Sequence, residues 1–132
     1  MTIKLIEWEP EYATGSDSVD LQHQYFSKLI NRIITNLTEE DDAEHEKRLL
    51  SELVKYADFH FTSEENIAFR LGIEGLSLHH QRHMELLDEL NNQVDNLLWG
   101  NHSKDDFIQF LVHWYTGHTF YEDTQFFHKY YK

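Results

Sequence analysis

Pro10 is the only proline in this 132-residue chain, and only five glycines are present. Proline and glycine are the residues that most strongly disfavour the interior of a helix. Because proline is absent and glycine is rare after Pro10, the sequence predicts long helices.

Apolar side chains recur every three or four residues in four segments, a spacing typical of amphipathic helices. The predicted helices cover approximately residues 18–37, 43–71, 77–99 and 103–129, after an irregular N-terminal arm over residues 1–17. The short loops between them predict an all-α fold, an antiparallel up-down-up-down four-helix bundle. We expect one domain over residues 1–132, because a chain of this length builds a single sizeable core.

The overall charge and the absence of cysteine exclude several classes of protein. A formal charge of −13 makes nucleic acids and anionic membranes poor partners, because both attract basic proteins. No segment approaches the roughly 18 apolar residues of a transmembrane helix, and the first residues show no signal-peptide pattern. Without cysteine the chain has no disulfides, thiolate zinc sites or Cys-ligated iron–sulfur clusters. We expect a cytoplasmic protein and, without a clear self-complementary apolar patch, a monomer.

Polar side chains occupy inner-face positions on all four predicted helices, where apolar side chains are expected. An unpaired polar group in such a core costs roughly 2–7 kcal/mol. A pair of metal ions is the simplest partner that suits five imidazoles and two carboxylates together. The candidate metal ligands are His23, His60, Glu64, His79, His83, His118 and Asp123.

Two pairs of these candidates are spaced by one helical turn. His60 and Glu64 are four residues apart, as are His79 and His83, so that each pair lies on one helix face. The second pair also resembles the zinc-protease motif H-E-x-x-H, but His80 replaces the glutamate that would act as the base. A ferritin-like centre would need two Glu-x-x-His motifs, and the chain contains none.

The last carboxylate does not follow the one-turn rule. Asp123 lies five residues after His118, about 140° around an α-helix, whereas Glu122 has the favourable four-residue spacing. From the spacing alone, either carboxylate can be the ligand. The histidines outside the candidate set are expected at the surface or at helix edges: His45, His80, His102, His113 and His128.

These residues stand in motifs that resemble the bacterial hemerythrins, and the resemblance covers essentially the whole chain. The motifs are Trp8, Gly15, Asp20-Leu21-Gln22-His23, His60-Phe61-Thr62-Ser63-Glu64-Glu65, His79-x-x-x-His83 and Trp114-x-x-x-His118-x-x-x-x-Asp123. The resemblance implies a four-helix bundle with a non-haem di-iron site that binds dioxygen. It also favours Asp123 over Glu122, because the last carboxylate of the family stands five residues after the last histidine.

The resemblance further implies a role for each ligand. One iron would be coordinatively complete, with His79, His83 and His118 as its histidines. The other iron would keep an open position for dioxygen, with His23 and His60 as its histidines. Both irons would be bridged by Glu64 and Asp123, beside an oxo or hydroxo group.

The chain departs from the family in the segment expected to form the oxygen pocket. Beside Trp114, the residues Tyr115 and Thr119 replace two aliphatic residues, and Ala68 stands where a methionine is expected. We hypothesise that this pocket is more polar than that of a pure oxygen carrier. Its hydroxyls would then donate hydrogen bonds to the bound oxygen or admit water. In the alternative, both hydroxyls are tied to helix carbonyls and point away from the site.

The function expected from these residues is reversible binding of dioxygen for storage, delivery or scavenging, by a binding protein rather than an enzyme. Three rival interpretations remain open. The first is an oxygen or redox sensor that acts through a separate protein partner. The second is a peroxidase or oxidase activity favoured by a polar pocket. The third is a redox-inert zinc bundle, although zinc's preference for four ligands suits seven shared ones less well.

Overall fold

Four long helical stretches make up the body of the protein in the computed structural model, which describes residues 5–131. They are α1 (Asp17–Thr35), α2 (Ala43–Leu71), α3 (Leu76–Leu98) and a fourth stretch composed of α4 (Lys104–Thr116), a π-helical segment (Gly117–Asp123) and α5 (Thr124–His128). The part of the chain described contains no β-strand. The predicted all-α four-helix bundle is therefore confirmed.

The helices begin where side-chain caps satisfy free backbone N–H groups. The Asp42 carboxylate accepts a hydrogen bond from the backbone N–H of His45 at 3.1 Å, and the Ser103 hydroxyl accepts one from Asp106 at 3.0 Å. Such caps contribute about 1 kcal/mol each, because the first N–H groups of a helix have no partner within it. At the other end of α2, Gly72 adopts a left-handed conformation (φ 69°) that terminates the helix.

The four stretches pack in a ring. Contacts join α1 to α2, α2 to α3, α3 to α4, and α4 back to α1. Their apolar faces form two separate clusters of buried side chains. The larger cluster includes Phe26, Leu53 and Leu90, among others. The smaller one lies towards the start of α1 and the end of the chain, and it comprises Val19, Ala68, Ile73, Phe126 and Phe127.

The arm preceding α1 is irregular apart from a short 3₁₀ turn (Pro10–Tyr12), and it is held to the bundle at defined points. The side-chain amide of Asn31 makes two hydrogen bonds of 2.8 Å with the backbone N–H and C=O of Ile6. The Tyr12 ring stacks on Phe120, with ring centroids 3.6 Å apart. Residues 1–4 of the predicted arm lie outside the described residues.

Two stretches depart from the plain α-helices expected. After Thr35, α1 changes into a π-helical turn (Asn36–Glu40) that ends at Asp41, with φ 51°. In the fourth stretch, the backbone stays right-handed helical at Gly117, where the π-helical segment begins, and at Thr124, directly after it ends. None of the described helices is both long and apolar enough to cross a membrane.

Candidate metal centre

The structure brings all seven predicted ligands together in the interior of the bundle. Each is buried, and together they form two groups of donor atoms, in each of which the atoms lie within 4.8 Å of one another. One group consists of Glu64, His79, His83, His118 and Asp123. The other consists of His23, His60, Glu64 and Asp123. The two groups therefore share both carboxylates.

The seven predicted ligands lie between the two apolar clusters, as α1 and the fourth stretch show. In α1, His23 stands between Val19 of the smaller cluster and Phe26 of the larger one. In the fourth stretch, the order is Tyr115 of the larger cluster, the ligands, and then Phe126 of the smaller cluster. Seven polar side chains thus form a layer that crosses the whole core.

The π-helical segment explains how Asp123 reaches the cluster. In a π-helix the backbone hydrogen bonds join residues five apart rather than four, so a residue at this spacing returns to nearly the same face. The structure places the Asp123 Oδ1 atom 2.9 Å from the His118 Nε2 atom. Glu122 points outward instead, and both of its carboxylate oxygens accept hydrogen bonds from the Arg82 Nε at 3.1 Å. Of the two carboxylates that spacing left open, Asp123 lies within the donor groups.

The donor atoms fit a metal site, because several of them have no hydrogen-bond partner among the residues described. The Nδ1 of His83 lies 2.7 Å from a carboxylate oxygen of Glu65, to which it donates, and its Nε2 lone pair then faces the Nε2 of His118 at 3.1 Å. Both carboxylate oxygens of Asp123 and the Nε2 of His60 are buried without a hydrogen bond of acceptable geometry. Imidazole nitrogens and carboxylate oxygens are ligands that iron and zinc accept.

Charge at the cluster is compensated by protons when no cation is present. Burial alone lowers the pKa of His23, but the carboxylates of Asp123 at 3.1 Å and Glu64 at 3.3 Å from its Nε2 outweigh burial and raise the pKa to about 9. The same opposition raises the pKa of His79 to about 9 and that of His118 to about 10. A metal ion that binds these nitrogens must displace their protons, so that metal binding and proton release are coupled.

The two carboxylates respond in the opposite direction. Burial tends to raise the pKa of Glu64, yet four imidazole nitrogens within 3.3 Å of its carboxylate hold the pKa well below its usual range. The pKa of Asp123 is also lowered, because the neighbouring His118 and His23 outweigh burial and the charge of Glu64. Both carboxylates are therefore ionised at neutral pH and available to a cation.

The hemerythrin HHE cation-binding domain matches residues 14–130 of this sequence, a span that includes every member of both donor groups. The chain belongs to the hemerythrin family. It is similar to a bacteriohemerythrin of Clostridium acetobutylicum, with 25% identity over 126 residues, which cover 90% of this chain and 96% of the relative. No solved structure matches the chain significantly.

Two residues that orient the ligands of this hemerythrin-family chain were not identified from the sequence. Gln22 lies beside His60, with its Oε1 2.8 Å from the His60 Nδ1, and its amide donates to Ser63 at 2.9 Å. Glu65 accepts from His83, as described above. Hydrogen bonds to the second nitrogen of a ligating imidazole fix its tautomer and orientation. The sequence contains one indication of their role: each residue is the immediate neighbour of a predicted ligand.

Glu65 also connects the cluster to the surface. Its second carboxylate oxygen lies 2.6 Å from the Nδ1 of His80, which is exposed as predicted. Of the other histidines expected outside the cluster, His45, His113 and His128 are exposed and His102 is half-buried. His80 therefore contacts a partner of the predicted ligand His83, which its sequence position did not indicate.

The three residues expected to form the oxygen pocket are all buried. The Tyr115 hydroxyl donates to the backbone carbonyl of His23 at 2.5 Å and lies 2.7 Å from the Ser27 hydroxyl. The indole N–H of Trp114 donates to the backbone carbonyl of Leu86 at 2.9 Å. For Tyr115 the structure thus matches the alternative in which the hydroxyl is tied to a helix carbonyl. Thr119 lies within the π-helical segment, one residue after His118.

Proposed function

We propose that this protein binds dioxygen reversibly at a pair of iron ions, for oxygen storage, delivery or scavenging, and acts as a binding protein rather than an enzyme. The proposal rests above all on the two carboxylates, Glu64 and Asp123, that the two donor groups have in common. A carboxylate has two oxygens, so that one residue can bind two ions. An iron pair, when bound, supplies the electrons that hold dioxygen reversibly.

The two donor groups differ in size, which supports different roles for the two ions. Besides the shared carboxylates, one group offers His79, His83 and His118, and the other offers His23 and His60. We infer that the ion with only two histidines keeps a free coordination position, at which dioxygen binds. The five donors of the larger group also exceed the four that structural zinc usually takes, which supports iron as the resident metal.

Aromatic side chains cover the donor groups and limit the access of water. Phe61 stacks on His83 with ring centroids 4.1 Å apart, and Phe126 stacks on His79 at 4.0 Å. The apolar surroundings of a metal site control solvent access and the local dielectric. A reversible oxygen carrier needs such a cover, because water and external reductants would otherwise consume the bound oxygen.

The ligands of the ion with the free position are also held in place. Gln22 fixes the imidazole of His60 from one side, and Tyr115 binds the main chain of His23 from the other. The Gln22 contact orients the imidazole of His60 and the Tyr115 contact holds the main chain of His23, and neither occupies a nitrogen that faces the donor group. They support an oxygen-binding position whose geometry is set by the protein.

The experiment that tests the proposal measures metal content together with optical spectra. Iron and zinc are quantified in the purified protein, and spectra are recorded as purified, after anaerobic reduction, after dioxygen is readmitted, and again under vacuum. We expect two irons per chain and an oxygen adduct that disappears under vacuum and returns with dioxygen. Stoichiometric zinc without iron would overturn the proposal. Direct oxidation to a stable ferric form would overturn reversible binding and would favour a redox sensor or an oxidase.

A further inference from the structure

Two tyrosines form a line of rings between the candidate metal centre and the surface. The Tyr56 ring lies nearly parallel to the imidazole of His60 (6°), with ring centroids 6.2 Å apart. Tyr25 is the next ring outward, with its centroid 5.0 Å from that of Tyr56. Tyr25 is 36% exposed, so the line ends in solvent. Each step is short enough for an electron to pass between neighbouring rings.

The two phenols differ in what their hydroxyl groups can do with a proton. The Tyr25 hydroxyl donates to the Oε2 of Glu52 at 2.7 Å, and a carboxylate can take the proton. The Tyr56 hydroxyl donates to the backbone carbonyl of Gln22 at 2.8 Å, which accepts a hydrogen bond but not a proton. A tyrosine loses its electron readily only when its proton can leave at the same time. Tyr25 is therefore the residue at which an oxidation can end.

The other oxidisable rings near the ligands have no such outlet. The Tyr115 hydroxyl and the Trp114 indole N–H both donate to backbone carbonyls, and both side chains are buried. Neither is placed to pass a proton to a carboxylate or to take an electron from a reductant in solution. Of these rings, Tyr25 is therefore the one best placed to be the final site of oxidation.

We propose that Tyr56 and Tyr25 form a one-electron path between the metal centre and the protein surface, with Glu52 as the proton acceptor, and that hydrogen peroxide drives oxidation of Tyr25 along it. This inference rests on the proposed function, since the metal centre must contain iron. One electron leaves Tyr25 through Tyr56 and His60 towards the centre, and the phenolic proton passes to Glu52. Two electrons delivered in this way, together with two protons from solvent, reduce one hydrogen peroxide to two water molecules, while each phenolic proton stays on its Glu52 acceptor.

The oxidised tyrosine lies where a soluble reductant can reach it. A small phenol or an enediol in solution returns one electron to Tyr25, and the proton returns from Glu52. The path thus adds a secondary reaction, the peroxide-dependent one-electron oxidation of small reductants, to the proposed main role of binding dioxygen. It also carries oxidising equivalents away from the buried ligands, whose imidazoles they would otherwise damage.

The test uses the iron-loaded full-length protein mixed with hydrogen peroxide and frozen for electron paramagnetic resonance. In parallel, a nitroso spin trap is added and the modified residue is located by mass spectrometry. Tyr25→Phe removes the end of the path, and Glu52→Gln keeps a hydrogen-bond acceptor but removes the proton acceptor. Tyr130→Phe is the matched control, since Tyr130 is similarly exposed (46%) and makes its ring contact with Tyr131. Iron content is measured in every sample.

We expect a tyrosyl signal and a spin-trap adduct at Tyr25 in the unmodified protein and in the Tyr130→Phe variant. The signal should be lost in Tyr25→Phe and weakened in Glu52→Gln at equal iron content. An adduct at another residue, or a signal unchanged in Tyr25→Phe, would overturn the path while leaving the iron site intact. Protein that binds no iron would overturn the proposed function and the path together, and the metal measurement separates the two cases.

Discussion

The Oδ1 of Asp123 lies 2.9 Å from the Nε2 of His118, although five residues separate them along a helix. In a regular α-helix this spacing would turn the carboxylate away from the histidine. The π-helical segment Gly117–Asp123 removes the mismatch and directs Glu122 outward to Arg82. Single π-helical turns inside α-helices occur frequently at functional sites, and here the turn selects which of two adjacent carboxylates enters the core.

Substitutions of the two adjacent carboxylates, Asp123 and Glu122, test which of them binds the metal. Asp123→Asn should reduce the iron content from two ions per chain towards none, because the shared carboxylate belongs to both donor groups. Glu122→Gln is the matched control and should keep two irons, since Glu122 belongs to neither donor group and lies no closer than 3.6 Å to the His118 Nδ1. Metal analysis of both variants after identical reconstitution provides the measurement. Equal iron loss in the two variants would contradict the assignment of Asp123.

Glu65 is expected to support metal binding without being a ligand. Glu65→Gln weakens the charged hydrogen bond to the Nδ1 of His83 and should lower metal affinity by about 10–100-fold, the usual effect of losing such a partner. Competition with a chelator of known affinity measures the change. Glu74→Gln serves as the control, because Glu74 is exposed. An affinity equal to that of the control would show that Glu65 has no such role.

The buried hydroxyl of Tyr115 should contribute to stability. Tyr115→Phe removes one of two side-chain donors to the backbone carbonyl of His23, the other being the Ser27 hydroxyl at 3.2 Å, and should lower the free energy of unfolding by about 1 kcal/mol, the net contribution of one hydrogen bond. Urea denaturation of metal-free protein measures this free energy without interference from iron. Tyr121→Phe, at an exposed position, should change it little. A Tyr115→Phe variant as stable as this control would mean that Ser27 satisfies the carbonyl alone.

Thr119 is the remaining polar residue of the expected oxygen pocket. If its hydroxyl admits water, Thr119→Ile should slow the spontaneous oxidation of the oxygen-bound protein, because the pocket becomes apolar. The decay of the oxygen adduct, followed by absorbance, gives the rate. Thr62→Ile makes the same chemical change at an exposed position of α2 and should leave the rate unchanged. The hypothesis of a polar pocket fails if both variants decay like the unmodified protein.

The pKa shifts predict how stability depends on pH without metal. In the folded protein the pKa of His23 and His79 is raised to about 9 and that of His118 to about 10, against about 6.5 in an unfolded chain. A raised pKa stabilises the fold fully below the unfolded value and ceases to do so as the pH rises through the folded value. The melting temperature of metal-free protein should therefore fall between about pH 6.5 and pH 10.

Iron-loaded protein provides the comparison for this pH dependence. Its ligand nitrogens carry no protons to lose, so its melting temperature should vary much less over the same range. Calorimetry of both forms at matched ionic strength measures the difference. Parallel curves for the two forms would show that other groups dominate the pH dependence.

The fold and most of the candidate site could be predicted because both rest on helical periodicity. The three- and four-residue spacing of apolar side chains is sufficient for a four-helix bundle, and the one-turn pairs His60/Glu64 and His79/His83 follow from the same period. The cap at Ser103 likewise follows from local sequence, since a serine precedes the acidic first turn of α4. These features depend on local sequence, which a single chain reveals.

The features that could not be predicted depend on tertiary contacts. Spacing left Asp123 and Glu122 open because a π-helical segment has no composition that distinguishes it from an α-helix. Gln22 and Glu65 were missed as partners of the ligands because a polar residue beside a ligand looks like any solvated helix position. The Tyr115 hydroxyl meets the His23 carbonyl across the bundle, 92 positions away in sequence. No local pattern indicates such a contact.

The layer of ligands between the two apolar clusters has a mechanical consequence for the whole bundle. Val19, Ala68 and Phe126 belong to one cluster and Phe26 and Leu90 to the other, with charged groups between them. Apolar packing holds each end together, but it does not run continuously across the layer. A bound metal pair would link all four helical stretches at that level through coordination bonds. Iron in such a protein is then a component of its architecture as well as the site of its chemistry.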